Sequence, residues 1–415
     1  MIESAIRDSR ALTKPEPISA TEFAERRSRA AAEASNRELD GLLVWSMGGS
    51  TLDSFGDVFY LTNHYCTETK APNLAPNWTG FGHAAVVLPV DEEPVLLVGP
   101  PNWRRDLVHV DHVQSARDIY ELVARCIQEK GLAQGRIGIS RFELFPLPLY
   151  LALRSSFPKL QIEPADDLLE QLRISKSAAE IALMQHSQAV SVEIMNAMME
   201  EVAVGRTDGD LAAVGFRLAC ELGATPYEFA MASGPHADHA YYPRLPAFDP
   251  YRPYAKGDVV HPDVYGCVDG YFYDFVRSTV VGDEPTAAQM TVLEGAIGAV
   301  RHVCEQLRPG VRASDAYHRG REWMIKNGWD RQIRGDTETD FSTFDAFGHG
   351  IGLGWEGPWI VSNDDTVLRP GMTIAIETSV TDGDSTALYE ETVLVTDGDP
   401  VIMTDACNAR PWTST

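Results

Sequence analysis

Five side chains of the kind that bind hard divalent metals stand in the last third of this chain in the order Asp263, Asp274, His349, Glu377 and Glu390. Brought together, four carboxylates and one imidazole would place about four negative charges in a small volume, and like charges raise each other's pKa unless cations neutralise them. Two divalent ions would balance that charge. An oxygen-rich, sulfur-free set with a single nitrogen suits manganese, iron, cobalt or zinc. Such a metal pair lowers the pKa of a bridging water from about 15.7 toward about 7, giving a nucleophile for a carbonyl or amidine carbon.

The segments around these residues read as strands. Residues 257–263 run through a glycine-containing turn into residues 270–274, a hairpin that would set Asp263 and Asp274 opposite each other on paired strands. His349 lies in Gly348-His349-Gly350-Ile351-Gly352, too rich in glycine for a helix interior and suited to close approach of backbone to a ligand. Glu377 ends the apolar run from Met372, and Glu390 opens another that reaches Val395. A carboxylate closing a buried strand needs a partner. His261 is two residues from Asp263, so strand alternation points it to the same face, as a further ligand or a supporting residue.

In these motifs the chain resembles the pita-bread metallohydrolases, which include methionine aminopeptidase, aminopeptidase P, prolidase and creatinase. Residues 257–279 resemble the family's strand pair with two metal-binding aspartates, closing in Asp274-Phe275-Val276-Arg277 where relatives carry a similar Asp-x-x-Arg. Residues 348–353 resemble its metal-histidine loop, residues 370–377 the segment that delivers a glutamate activating the water, and residues 390–395 its closing strand. The resemblance implies a dinuclear site held by Asp263, Asp274, His349, Glu377 and Glu390, with Glu377 helping to deprotonate the water. It also implies a creatinase-like N-terminal α/β domain followed by a C-terminal pita-bread domain.

Departures from the family pattern bear on substrate. Proline-directed relatives carry a second histidine seven residues after the metal histidine, where this chain has Glu356, or Trp355 if one residue has been lost from the loop. A carboxylate there would prefer a cationic or hydrogen-bond-donating substrate. The family's other substrate histidine falls near residues 233–242, where the spacing allows His239 or Tyr241, with His239 favoured.

At 415 residues the chain is long enough for two or three domains. A boundary near residues 172–176 separates residues 1–172 from 173–415, because Ser177 and Glu180 offer a capping box that opens a long helix. Its apolar residues Ile181, Met184, Met195, Met198 and Val202 read as core. Ahead of the boundary, helical stretches at 21–39 and 117–130 alternate with strand-like runs at 41–45, 58–61, 83–88, 94–98 and 137–139, an α/β layer pattern. A net charge of -25 argues against nucleic acid as a partner. Six unpaired cysteines and the lack of an apolar run of about 18 residues fit a cytoplasmic protein that does not meet a membrane. Aromatic residues in the loop at 63–82 (Tyr65, Trp78, Phe81), together with Trp103, resemble the segments with which creatinase-type relatives close a neighbouring subunit's site, so a homodimer is expected.

The function expected is metal-dependent cleavage of a carbon-nitrogen bond, amide or amidine-like, in a small polar or short peptide-like substrate, with His239, Tyr241 and Glu356 orienting it. The alternatives are an Xaa-Pro dipeptidase or aminopeptidase, a dimethylsulfoniopropionate-type lyase on the same fold, and a non-catalytic binding module. Gly352 to Gly357 matches a dinucleotide-binding glycine pattern, but neither a preceding strand nor a following helix is indicated, so the match is fortuitous.

Overall fold

The computed structural model describes residues 12–48, 52–68, 71–99, 103–237, 245–282, 284–329 and 345–412. Among the described residues two compact units emerge, one within residues 17–173 and one within residues 174–412 joined by residues 12–16. The lead-in therefore differs from the expected continuous segment 1–172. Of its described residues, Leu12 packs on the core of the second unit and Lys14 reaches Asp269 at 2.8 Å.

In the first unit a six-stranded mixed sheet has the order β4 (His112–Ser115), β3 (Val95–Val98), β2 (Ala84–Pro89), β1 (Gly41–Ser46), β5 (Arg136–Ser140), β6 (Gln161–Pro164). Helices α1 (Ala20–Asn36), α2 (Gly56–Thr62), α3 (Ile119–Glu129), α4 (Leu147–Ser156) and α5 (Asp166–Arg173) complete it. The central strands are buried along their whole length, which explains their continuous rather than alternating apolar sequence. Residues 58–61, expected as strand, form α2 instead. A four-residue apolar run carries no period that separates strand from buried helix, and Asn63 in the left-handed region (φ 59°) stops the helix. The loop aromatics serve this unit: Tyr65 meets Phe55 edge-on at 5.3 Å, Trp78 lies 6.0 Å from Phe81, and Arg105 covers Trp103.

The second unit opens with α6 (Ala178–Glu200), capped by the Ser177–Glu180 box, and α7 (Asp208–Glu221). Met184, Met195 and Met198 are buried, so the methionine stripe is core. One antiparallel sheet has the order β10 (Thr279–Val280), β8 (Val259–Val268), β7 (Thr225–Ser233), with β9 (Tyr271–Val276) also paired to β8. The other is five-stranded in the order β12 (Trp355–Val361), β11 (Ala346–Ile351), β13 (Thr373–Thr381), β14 (Thr386–Leu394), β15 (Val401–Ile402). Helices α6 on β8 and β9, α8 (Ala287–Cys304) on β13 and β14, and α9 (Ala313–Lys326) on β12 cover these sheets. Where β14 lies against β8 and β9 the two sheets meet.

Ordering of that meeting line comes from α6. Ser187 Oγ donates to the carbonyl of Tyr271 at 2.8 Å, and Gln188 Nε2 donates to that of Phe272 at 3.0 Å. Gln188 Oε1 in turn accepts from Thr392 Oγ1 of β14 at 3.1 Å. One amide side chain thus ties β9 to β14, satisfying groups that burial would otherwise leave costly.

Candidate metal centre

The hairpin that carries the two aspartates closes through Asp269 (φ 49°) and Gly270 (φ 89°), the pair of positive φ values that a two-residue turn requires. With Val268 opposite Tyr271, the ladder sets Asp263 against Val276 and Tyr265 against Asp274. The aspartates are therefore diagonal neighbours on one sheet face rather than directly opposite, a correction that follows from the turn length. Diagonal pairs remain within reach of each other. Glu390 of β14 completes the group: one ligand atom from each of Asp263, Asp274 and Glu390 lies within 4.8 Å of the others, and all three residues are buried.

The second sheet brings in the remaining two residues by register. Glu377 pairs directly with Glu390, and His349 pairs with Ala375, which makes it the diagonal neighbour of Glu377. His349 Nε2 stands 3.6 Å from Asp274 Oδ2 and 3.9 Å from Glu377 Oε1. Its Nδ1 lies 3.0 Å from the carbonyl of Gly350. A carbonyl only accepts, so in the neutral ring Nδ1 carries the proton and the Nε2 lone pair is aimed at the acids. Gly348 allows this: its φ is 128°, and a side chain there would collide with the carbonyl oxygen of Ala375. His349 and Glu377 thus stand beside the group formed by Asp263, Asp274 and Glu390.

Electrostatics of the cluster match a cation site. Both carboxylate oxygens of Glu390 are buried and receive no hydrogen bond among the described residues, and an isolated buried carboxylate is strongly disfavoured. Burial, then the charges of Asp274, Glu377 and Asp263, hold its pKa well above the ordinary carboxylate range. Glu377 is pushed up to about 7 by burial and by Asp274, against the opposing pull of His349. Burial works against protonation of His349, yet Asp274 and Glu377 raise its pKa overall. These donors fit a divalent metal in type, number and unmet charge.

Beneath Glu390 lies a buried arginine. Arg277, wholly buried between the rings of Phe275 and Tyr389 (4.2 and 4.1 Å), donates to the backbone carbonyl of Glu390 and pairs with Glu391 at 3.1 Å. Glu391 also receives the hydroxyls of Tyr389 and Thr404. Adjacent acids on one strand therefore split their tasks: Glu390 faces the cluster and Glu391 faces the core.

Around the cluster the other expected residues fall differently. Glu356 is buried and bound to Lys176 Nζ at 2.5 Å, so the charge expected to meet a cationic substrate already has a cation. Alternation in β12 turns its neighbour toward the site instead. Trp355 Nε1 donates to Asp274 Oδ2 at 2.8 Å, and its ring lies 5.3 Å from that of His349. His261 is fully buried and sits opposite Ala232 on the face that carries Asp263, but it is outside the group of three converging acids. His239 and Tyr241 lie outside the described residues. Trp355 and Arg277 are the site's further supports. Trp355 was legible only as one of two loop registers and Arg277 only as part of the Asp-x-x-Arg motif.

Two sheets meeting in a carboxylate cluster, in a chain that also carries a separate α/β unit, define the class as a metal-dependent hydrolase of the pita-bread kind. Residues 182–397 match metallopeptidase family M24 and residues 26–175 match the creatinase/prolidase N-terminal domain, and the chain belongs to metallopeptidase family M24. Among curated relatives, a probable dipeptidase PepE of Mycobacterium tuberculosis is 29% identical over 272 residues, covering 60% of this chain and 66% of that protein. An Xaa-Pro dipeptidase of Pyrococcus horikoshii is 27% identical over 226 residues, 53% of this chain and 59% of that protein. The matched stretches thus span less than two thirds of these relatives. The crystal structure of the prolidase from Pyrococcus horikoshii superimposes with a TM-score of 0.73 at 21% identity, over 92% of this chain and 98% of that one, a likeness of fold. Among the described residues no helix is long and apolar enough to cross a membrane.

Proposed function

We propose that this chain hydrolyses the amide of a short peptide-like or similarly small polar substrate, using divalent metal held by Asp263, Asp274, His349, Glu377 and Glu390. The observation that carries this reading is the convergence from two sheets of three buried carboxylates, Asp263, Asp274 and Glu390, the last with oxygens that meet no hydrogen-bond donor among the described residues. When bound, two divalent ions supply Lewis acidity toward the amide oxygen and acidify water. Glu377, beside His349 and opposite Glu390, is placed to take a proton from the attacking water and pass it to the leaving nitrogen. Trp355 fixes Asp274 through its indole N–H, and the Gly350 carbonyl fixes the ring of His349. Arg277 anchors the Glu390 backbone from behind.

The dipeptidase relatives support peptide-like substrates, and an Xaa-Pro dipeptidase is the narrower form of the proposal. Neither elimination nor metal-free binding draws similar support. The experiment is elemental analysis of protein purified without chelator, followed by assay of manganese-loaded protein against paired Xaa-Pro and Xaa-Ala dipeptides. About two metals per chain with cleavage of either series supports the proposal, and a strong preference for Xaa-Pro selects the narrower form. Metal-free protein that cannot be loaded, or loaded protein inert toward both series and toward small amides, overturns it.

A further inference from the structure

Trp355 is 53% exposed although its Nε1 is anchored on a carboxylate of the metal cluster. The anchored indole thus leaves part of its ring in solvent beside the cluster, where the face is open to a ligand. A second ring stands next to it: Tyr265, on β8 between the two aspartates in the ladder, has its centroid 6.3 Å from that of Trp355 at an interplanar angle of 55°. Its hydroxyl donates to Glu228 Oε2 at 3.4 Å. Glu228 occupies the position on β7 where a register shift separates it from Pro226, a bulge of the sort that re-aims a side chain next to a functional site. Among the described residues Glu228 makes no ion pair, in contrast with Glu356, which Lys176 neutralises.

Two inclined π faces and an uncompensated carboxylate are the recognition elements of an organic cation, the rings supplying quadrupole attraction and the acid a full charge. Aliphatic or anionic groups gain nothing comparable from them. Resting on the hydrolase reading above and naming the substrate class it takes, we propose that Trp355, Tyr265 and Glu228 form a subsite, beside the metal cluster, for an ammonium group carried by the substrate. Trp355 then acts twice, through its N–H on Asp274 and through its ring on the ligand, so substrate charge is sensed on the same side chain that orients a metal ligand. The overall charge of -25 adds long-range attraction for cations.

The test is equilibrium binding of choline and of its neutral isostere 3,3-dimethyl-1-butanol to full-length manganese-loaded protein by calorimetry. Wild type should bind choline about 10-fold or more tightly than the neutral isostere. Glu228→Gln and Trp355→Leu should each remove most of that preference, while Trp355→Phe, which keeps a ring, should retain much of it. Circular dichroism and metal content of each variant separate loss of the subsite from loss of fold or metal. Ethanolamine, a primary ammonium, binding more tightly than choline assigns the subsite to a free amino group, and the reverse order assigns it to an alkylated one. Equal affinity of wild type for choline and the neutral isostere, or a preference undiminished in folded, metal-replete Glu228→Gln and Trp355→Leu, overturns the proposal. Cleavage of dipeptides and small amides measured on the same preparation keeps the two readings apart: cleavage without cation preference sinks the subsite alone, and cation preference without cleavage of either sinks the hydrolase reading alone.

Discussion

Glu377 combines a raised pKa with a place beside His349 and opposite Glu390, and this pairing makes it the residue whose replacement is most informative. Glu377→Gln keeps size and polarity but cannot take a proton. Its expected effect is a fall in kcat of about 10²- to 10⁴-fold with an unchanged circular dichroism spectrum, and a variant with wild-type kcat would remove Glu377 from the chemistry. The same residue predicts the pH behaviour of metal-free protein. Glu377 is raised from its ordinary 4.5 to about 7, and His349 is raised above its ordinary 6.5. In both cases the folded chain holds a proton that the unfolded chain releases earlier, so their contribution is present at low pH and lost as pH rises. Thermal midpoints of chelator-treated protein should therefore fall between pH 4.5 and about 7, and manganese added at pH 7 should cancel the fall. A midpoint that climbs over this range without metal contradicts the clustered geometry.

Strands and helices place these residues through a few buried polar ties. Lys176, immediately before α6, holds Glu356 of β12 at 2.5 Å, and its backbone N–H donates to the carbonyl of Gly371 at 2.9 Å just ahead of β13. Lys176→Met leaves a buried carboxylate without its cation and should cost about 3–5 kcal/mol in urea denaturation. The double variant Lys176→Met with Glu356→Leu should recover most of that loss. If Glu356 instead served a cationic substrate directly, the single change at Lys176 would be mild and would alter KM. Gln188 is the comparable tie between β9 and β14. Gln188→Leu strands two buried partners and should cost about 1–3 kcal/mol for each one left unsatisfied, with a loss of metal affinity because Asp274 and Glu390 ride on the strands it joins.

For the molecule as a whole, metal and stability are linked. Asp263, Asp274 and Glu390 of β8, β9 and β14 meet, with His349 of β11 and Glu377 of β13 beside them, so an ion held there would staple both sheets of the C-terminal unit. A ligand that binds only the folded form adds about 2.7 kcal/mol at a hundredfold excess over its Kd. Manganese should accordingly raise the thermal midpoint of the transition that reports the C-terminal unit while leaving any separate transition of residues 17–173 in place. Equal shifts in every transition, or none, would contradict a site confined to the second unit.

Much of this was legible along the chain because the site is built from strand ends with distinctive chemistry. Asp263, Asp274, His349, Glu377 and Glu390 are short-range features: each sits in a local motif whose glycine, apolar and β-branched neighbours mark a buried strand, and a buried acid announces a partner. The capping box at Ser177 and Glu180 was equally local. Three-dimensional structure alone decided what depends on register and distant partners. The two-residue turn made Asp263 and Asp274 diagonal instead of opposite, the short apolar run at 58–61 closed into a helix, and residues 12–16 joined the second unit. Glu356 and Trp355 show the limit best. They are adjacent in sequence and were interchangeable as readings of one loop, but a strand sends neighbours to opposite faces, one to Lys176 in the interior and the other to Asp274 at the site. Which face is which depends on pairing between segments 180 residues apart, and no local pattern encodes it.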